Sequence, residues 1–357
     1  MVDGRGRLIL TVTRACDLRC AYCPTAKDGW PALSPDDAVA AVRLFADRYG
    51  GGDVKLFGGE PLLVPEVVQA ALDEAARQPR IRQIYLSTNG LGLNPARIEA
   101  LARHEKLILT VSMDGRPEDH RRLRKGRGSV PDAYDHLVGL LPHLLALPRF
   151  VVTQTIAPTT AAQAAANFAH LVGLGIRRFN LLPGYYLPWK ADQLDALDRG
   201  FAEIGAAFRA DWAAGGRLYL RNLFTWAPTA FFNSGLVVDA DRSIHPANVG
   251  LSGALEGLLG QTRVGDLDDP PSPEALAEAA ARVPALLEGA LSAEVLRSTA
   301  AVDRALGRLV EGLYPAWFAQ RRARHSAGGA ATKSGEPKSA ATETTGIVGG
   351  RSPRSAL

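Results

Sequence analysis

At 357 residues, 46% hydrophobic and 22% charged, the chain reads as globular, with room for one large domain and a small addition. Its 41 basic and 37 acidic residues leave a net charge of +4, but the surplus is local. From Arg321 onward seven basic residues meet two acidic ones, so the tail carries +5 and the rest −1, and the pI near 9.0 is weak evidence for nucleic-acid binding. No run of about 18 apolar residues exists and no charged-then-apolar leader opens the chain. A membrane partner is therefore not expected, and a cytoplasmic location, where thiols stay reduced, is.

Residues 8–13 are short, apolar and β-branched, which predicts a buried strand. Its C-terminal end runs into Thr13-Arg14-Ala15-Cys16-Asp17-Leu18-Arg19-Cys20-Ala21-Tyr22-Cys23-Pro24, which holds all three cysteines of the chain. Thiolates spaced Cys-x3-Cys-x2-Cys on one loop are expected to reach one metal centre. A closed structural zinc site needs four ligands, and the nearest histidine is His104. A four-iron cluster has four corners, so three cysteines would leave one iron open to a small molecule.

Ser34-Pro35-Asp36-Asp37 predicts a helix start, with Ser34 as cap. Strands are then expected at 53–57, 83–87, 107–112, 150–156 and 178–182, separated by helices. Asn94 should cap one helix, and Pro142 should kink another that spans 131–147. A long helix is expected over 190–214. Six strands alternating with six helices describe an α/β fold with a mostly parallel, two-sided sheet. Polar and glycine residues collect after the strands, where active sites sit in barrel-like folds.

Beyond residue 215 the alternation stops. Residues 236–239 and 243–246 flank Ala240-Asp241-Arg242 and predict a β-hairpin. Residues 272–320 are rich in Ala and Leu at helical spacing, which predicts two or three helices. From Ser326 large apolar residues almost vanish, so a disordered tail is expected. The units are then a core over 1–214, an extension over 215–270, helices over 271–325 and the tail over 326–357.

Cys16, Cys20 and Cys23, with Tyr22 before the third, resemble the signature of the radical S-adenosylmethionine (radical SAM) enzymes. That resemblance covers roughly residues 5–190. It implies a partial (β/α)6, TIM-like barrel with a [4Fe–4S] cluster on the three cysteines. S-adenosyl-L-methionine would chelate the fourth iron, be cleaved by one electron, and yield a 5′-deoxyadenosyl radical that takes hydrogen from a substrate. It implies an electron donor such as a flavodoxin or ferredoxin. Gly58-Gly59-Glu60-Pro61 resembles the motif that meets the cofactor's amino group. Two glycines permit close backbone approach to a ligand, and Glu60 can accept from an ammonium group.

Ser112, Asp114, His120 and Arg124 resemble a segment common in peptide-modifying members. Arg124 would grip the methionyl carboxylate with two parallel hydrogen bonds, with Ser112 close by. The other basic residues of 121–129 read as a solvated face, and without interleaved aromatics they do not predict a nucleic-acid partner. Tyr22, Asn89 and Gln154 are candidates for adenine or ribose contacts. His245, Tyr185, Tyr186, Trp189 and Trp226 could shape a pocket, although aromatic residues more often simply pack. The hairpin resembles the SPASM or twitch extension of peptide maturases, in which a cysteine for an auxiliary cluster follows. Here Ala247 stands in that place and no cysteine lies beyond Cys23. The expectation is one cubane, a cluster-free cap over the barrel mouth, and a peptide or protein side chain as substrate; the alternatives are a small metabolite, or a non-catalytic peptide-binding module on the same fold.

Overall fold

The structure, a computed structural model, describes residues 6–225 and 234–331. β1 (Arg7–Thr13) leads into the cysteine loop, which contains the short β2 (Leu18–Cys20). α1 (Pro35–Arg48), β3 (Gly52–Gly58), α2 (Pro65–Arg77), β4 (Ile81–Thr88), α3 (Pro95–Ala102) and β5 (Leu107–Ser112) follow. α4 (Pro117–Leu123) and β6 (Arg124–Gly126) interrupt the alternation, which resumes with α5 (Ala133–Leu145), β7 (Phe150–Ile156), α6 (Ala164–Gly173), β8 (Arg178–Pro183) and α7 (Ala191–Ala213). The remainder is β9 (Tyr219–Leu220), α8 (Asn222–Thr225), β10 (Ser234–Val238), β11 (Ser243–Ala247), α9 (Leu259–Thr262), β12 (Gly265–Asp266), α10 (Pro273–Ala290) and α11 (Ala293–Ala331).

All six expected strands form and run parallel in one curved sheet, ordered β12-β11-β10-β1-β3-β4-β5-β7-β8-β9. This is a mixed α/β partial barrel. Leu8, Leu10, Val54, Leu56, Ile84 and Leu86 share one core cluster with Val42 and Phe45 of α1 and Val68 and Leu72 of α2. Strand side chains alternate between faces, so Lys55, Phe57 and Tyr85 face the concave interior. Cap chemistry starts the helices as expected: Ser34 and Asp37 complete a capping box, and Asn94 accepts from the Arg97 amide.

The extension differs from the expected separate cap. β10 pairs in parallel with β1, Leu8 beside Leu236 and Leu10 beside Val238, so the hairpin continues the core sheet. A run of exposed parallel edge on β1 is thereby paired and hidden. Ala247 is buried with Val249, Leu255, Val283 and Leu287, so apolar packing fills the place where the extension it resembles has a ligating thiol. The helices after residue 271 number two among the described residues, and α11 runs on to Ala331, past the expected onset of disorder at Ser326. The rest of the proposed tail, 332–357, and Trp226 lie outside the described residues.

One buried carboxylate joins α1 to α2. Glu74 accepts from Arg43 Nε at 3.0 Å, from Gln78 at 2.7 Å and from Arg77. The Arg43 hydrogen bond holds its carboxyl down to about 2, against the cost of burial. The folded state therefore binds that proton later than the unfolded chain does. This contribution to stability is complete above about pH 4.5, the usual carboxyl value, and fades as the pH falls toward about 2. Glu74→Gln should lower stability at pH 7 by roughly 1.5–3 kcal/mol and shrink the wild-type advantage on acidification. Urea unfolding at pH 7 and at pH 3 measures both, and an unchanged advantage at pH 3 would count against the assignment.

Candidate cluster and cofactor site

The cysteine loop is held by its own backbone neighbours. Gly59 N donates to Thr13 O and Glu60 N to Ala15 O, each at 2.8 Å. A Cβ on Gly59 would lie 2.1 Å from Ala15 O and 2.3 Å from Arg14 O, and one on Gly58, at φ +138°, would lie 2.1 Å from Thr13 O. Both glycines are thus required by contact with the strand that delivers the cysteines. The close approach expected toward a ligand is spent on the chain itself.

Glu60 is also turned inward. It is 1% exposed and accepts from Leu62 N at 3.0 Å, Thr88 Oγ1 at 2.6 Å and Asn89 N at 2.7 Å. Burial pushes its carboxyl up to about 7, with the three donors pulling the other way. It ties the end of β3 to the end of β4. Asn89 continues the brace: Nδ2 donates to Asp17 and lies 3.9 Å from Cys16 Sγ, and Oδ1 accepts from Leu91 N.

The second brace is a ribbon that sequence periodicity does not reveal. β2 pairs antiparallel with β6, which sets Cys20 opposite Arg124. Arg124 grips Asp114 with two parallel bonds, Nε to Oδ2 at 2.8 Å and Nη2 to Oδ1 at 3.0 Å. Its bidentate face is therefore occupied by Asp114, where a cofactor carboxylate was expected. Its Nη1 lies 3.9 Å from Cys20 Sγ. Tyr22 donates to Asp114 Oδ2 at 3.0 Å, and Thr155 N donates to Oδ1 at 3.0 Å. Burial works against the Arg124 charge, and Asp114, Tyr22 and Cys20 together outweigh it and hold the guanidinium well above its ordinary value.

Other candidates divide. Ser112 ends β5 in register with Thr153, on the interior face. Gln154 lies on the opposite face of β7 and donates to Ala164 O at 3.0 Å under α6, so it does not meet the site. Its Oε1 is buried without a partner among the described residues. His120 accepts the Asp114 amide at Nδ1, and burial lowers its pKa to about 4. His245 packs between Ser243 and Thr262, Trp189 donates to Gly184 O, and Tyr185 donates to Asp303. Tyr186 is held at φ +61°.

Arg14 escaped the sequence reading. It is fully buried, forms an ion pair with Asp239 just beyond β10, donates to Gly250 O at 2.7 Å and stacks 3.4 Å over Trp30. A basic residue two places before the first cysteine was the only signal.

The three thiols are free and half-buried. Burial pushes the Cys16 thiol up to about 12 and raises Cys20, against the pull of Arg124. Among the described residues no three His, Cys, Asp or Glu side chains converge on a single ion. The three sulfurs are therefore not gathered at one point as the spacing had suggested. A cluster asks for a different arrangement from convergence on one ion, each thiolate taking its own iron. Nearby N–H groups of Leu18, Asn89 and Arg124 are placed to donate to sulfur.

Residues 10–139 match the family described as Radical SAM superfamily. A GTP 3′,8-cyclase of Mycolicibacterium smegmatis is 35% identical over 141 residues, 37% of this chain and 38% of that protein. One from Rhodococcus opacus is 27% identical over 222 residues, 58% of this chain and 62% of that protein. The matched segments thus span less than two thirds of these relatives. Among solved structures, native anSMEcpe with bound AdoMet aligns with a TM-score of 0.65 at 15% identity, covering 87% of this chain and 99% of that one. SuiB of Streptococcus suis bound to S-adenosylmethionine aligns at 0.57 and 15% identity, covering 74% and 64%. These two likenesses concern the fold.

Proposed function

We propose that this chain, which carries a radical SAM domain over residues 10–139, is an enzyme that acts on a substrate held inside its partial barrel. One observation carries the reading. All three cysteines sit on one loop at the C-terminal end of β1, and that loop is tied to the ends of β3, β4 and β5 through Gly59, Asn89 and the Arg124–Asp114 pair. Cys16, Cys20 and Cys23 would hold a [4Fe–4S] cluster. When bound, the cluster and S-adenosylmethionine supply one-electron cleavage and a group able to abstract hydrogen.

The chain's own residues do the positioning. Arg124 sets the direction of Cys20, and Asn89 with Asp17 sets that of Cys16. Tyr22 and Asp114 form a buried wall next to the cysteines, and Ser112 contributes a hydroxyl at the rim of the interior. Glu60 fixes the turn on which this geometry depends. Any contact it makes with the cofactor's amino group shares a carboxylate that already has three donors. Electrons would come from a partner such as a flavodoxin or ferredoxin, in a reducing, cytoplasmic setting suited to free thiols. Among the described residues no helix is long and apolar enough to cross a membrane.

Two substrate readings have support. The cyclases that resemble this chain in sequence are named for a small molecule, GTP. The proteins that resemble it in fold include anSMEcpe bound to a peptide and SuiB bound to its precursor peptide SuiA. The charge of the interior, described next, favours the small molecule. Anaerobic reconstitution should give about four irons per chain and release of 5′-deoxyadenosine on reduction. Deuterium passing from a labelled candidate into 5′-deoxyadenosine identifies the substrate. Reconstituted, reduced protein that never cleaves S-adenosylmethionine would point to a binding module on this fold.

A further inference from the structure

The interior face of the sheet carries three cations that no carboxylate among the described residues pairs with. Lys55 on β3 stands in register with Tyr85 on β4, and Arg178 on β8 with Tyr219 on β9; Arg221 follows directly after β9. Each cation lies against an aromatic face: Lys55 4.5 Å from the Phe57 ring centre, Arg221 4.1 Å from that of Tyr85, and Arg178 4.0 Å from that of Tyr219. The Arg221–Tyr85 contact crosses the barrel from the end of β9 to β4, beside Lys55 in the register of β3, and Arg178 stands against Tyr219 two positions before Arg221.

Among the described residues none of the three is paired with a carboxylate. Asp53, two positions before Lys55, is engaged by Arg82 at 3.4 Å. Arg178 Nε is buried with no hydrogen-bond partner. Burial, then the charges of Arg221 and Arg7, push the Lys55 ammonium down to about 7, and burial also lowers Arg221. Aromatic faces satisfy a cation only in part. Like charges gathered in a low-dielectric chamber repel, and an anion between them would relieve that repulsion and take up the idle N–H groups.

We propose that Lys55, Arg221 and Arg178 form a binding site inside the partial barrel for an oxyanion, a carboxylate or phosphate carried by the substrate. This rests on the reading of the interior as the substrate chamber. The depth is informative: Lys55 precedes Gly58 by three residues, so the anchor sits about 10 Å along the strand from the turn that braces the cysteines. A small molecule held there by its acidic end would present its other end toward the C-terminal rim, where the cysteine loop lies. An uncharged peptide side chain would leave the cations unmatched.

Calorimetric titration of the reconstituted full chain at low ionic strength tests the site, with pyrophosphate, inorganic phosphate and citrate as probes. Wild type should bind at least one of them, and the phosphate and citrate arms tell the two kinds of oxyanion apart. Lys55→Met keeps an apolar stem and removes a half-buried charge that no described carboxylate pairs, so it should fold at least as well. It should weaken binding tenfold or more, as should Arg221→Gln, whereas Lys55→Arg should bind within a few-fold of wild type. Arg103→Gln, an exposed change just after α3 whose ion-pair partner is Glu99, should leave affinity unchanged. Wild-type protein that binds none of the probes, or Lys55→Met that binds as wild type does, overturns the proposal. Formation of 5′-deoxyadenosine by the unmodified chain, measured in parallel, reports on the enzyme reading alone, so the two can fail separately.

Discussion

Cys20→Ala should reconstitute with almost no cluster, its iron content falling from about four per chain to near zero and the brown chromophore disappearing. Three ligands already leave one iron without a protein thiolate, and the chain holds no fourth cysteine to substitute. The ribbon places no alternative donor at that corner, because the residue opposite Cys20 is Arg124, which is cationic and bound to Asp114. Folding itself should survive, since the Cys20 side chain contributes little packing and β2 is held to β6 by backbone bonds. Visible absorbance after anaerobic reconstitution, with circular dichroism as control, decides the matter. A full chromophore in the variant would remove Cys20 from the ligand set.

Gly59→Ala should be nearly as damaging by a different route. The added methyl would lie 2.1 Å from one carbonyl oxygen and 2.3 Å from another. Both belong to the main chain, so no side-chain rotation can make room. Relief requires β3 to move away from Thr13–Ala15, breaking the two 2.8 Å hydrogen bonds that fasten the cysteine loop. The expected loss is on the order of 3 kcal/mol or more, in the class of backbone strain effects, with cluster yield falling in step. Gly139→Ala, on α5 with open space around it, serves as the control. Equal thermal stability of the two variants would show that the turn yields more easily than its geometry implies.

Six strands were legible because each carries apolar and β-branched residues in a short run that feeds the core, continuous in β1 and alternating in β3 and β4. The cysteine loop was legible because its ligand chemistry depends on residue types at fixed spacing. The directions of the polar side chains were not. Glu60, Arg124 and the Gly58-Gly59 pair all read as groups reaching for a ligand, yet each is first engaged by its own chain. The partners that engage them, Thr88, Asn89, Asp114 and the carbonyls of Arg14 and Ala15, are brought near only by the tertiary fold. Gln154 was misplaced for a related reason: alternation along β7 turns it toward α6, and a strand buried on both faces has no polar rhythm to reveal which side is which. β2, β6 and β9 are two or three residues long, too short for any periodicity. β10 was seen as half of a hairpin, but its parallel bond to β1 spans most of the chain. The interior cations were individually visible as Lys55, Arg178 and Arg221, and only the register of the strands brings them together.

The Arg14–Asp239 ion pair sets an order of events during synthesis. Arg14 and all three cysteines leave the ribosome before Asp239, which lies 225 positions after Arg14. At about 5–20 residues per second, the wait is on the order of ten to forty seconds. Through that interval the guanidinium beside Cys16 has no carboxylate, and β1 offers an open edge where β10 will later lie. The loop proposed to bind iron is thus made well before it is finished. Iron delivered before then would meet thiols not yet set in place, so insertion of the proposed cluster would belong after the hairpin has closed beside β1.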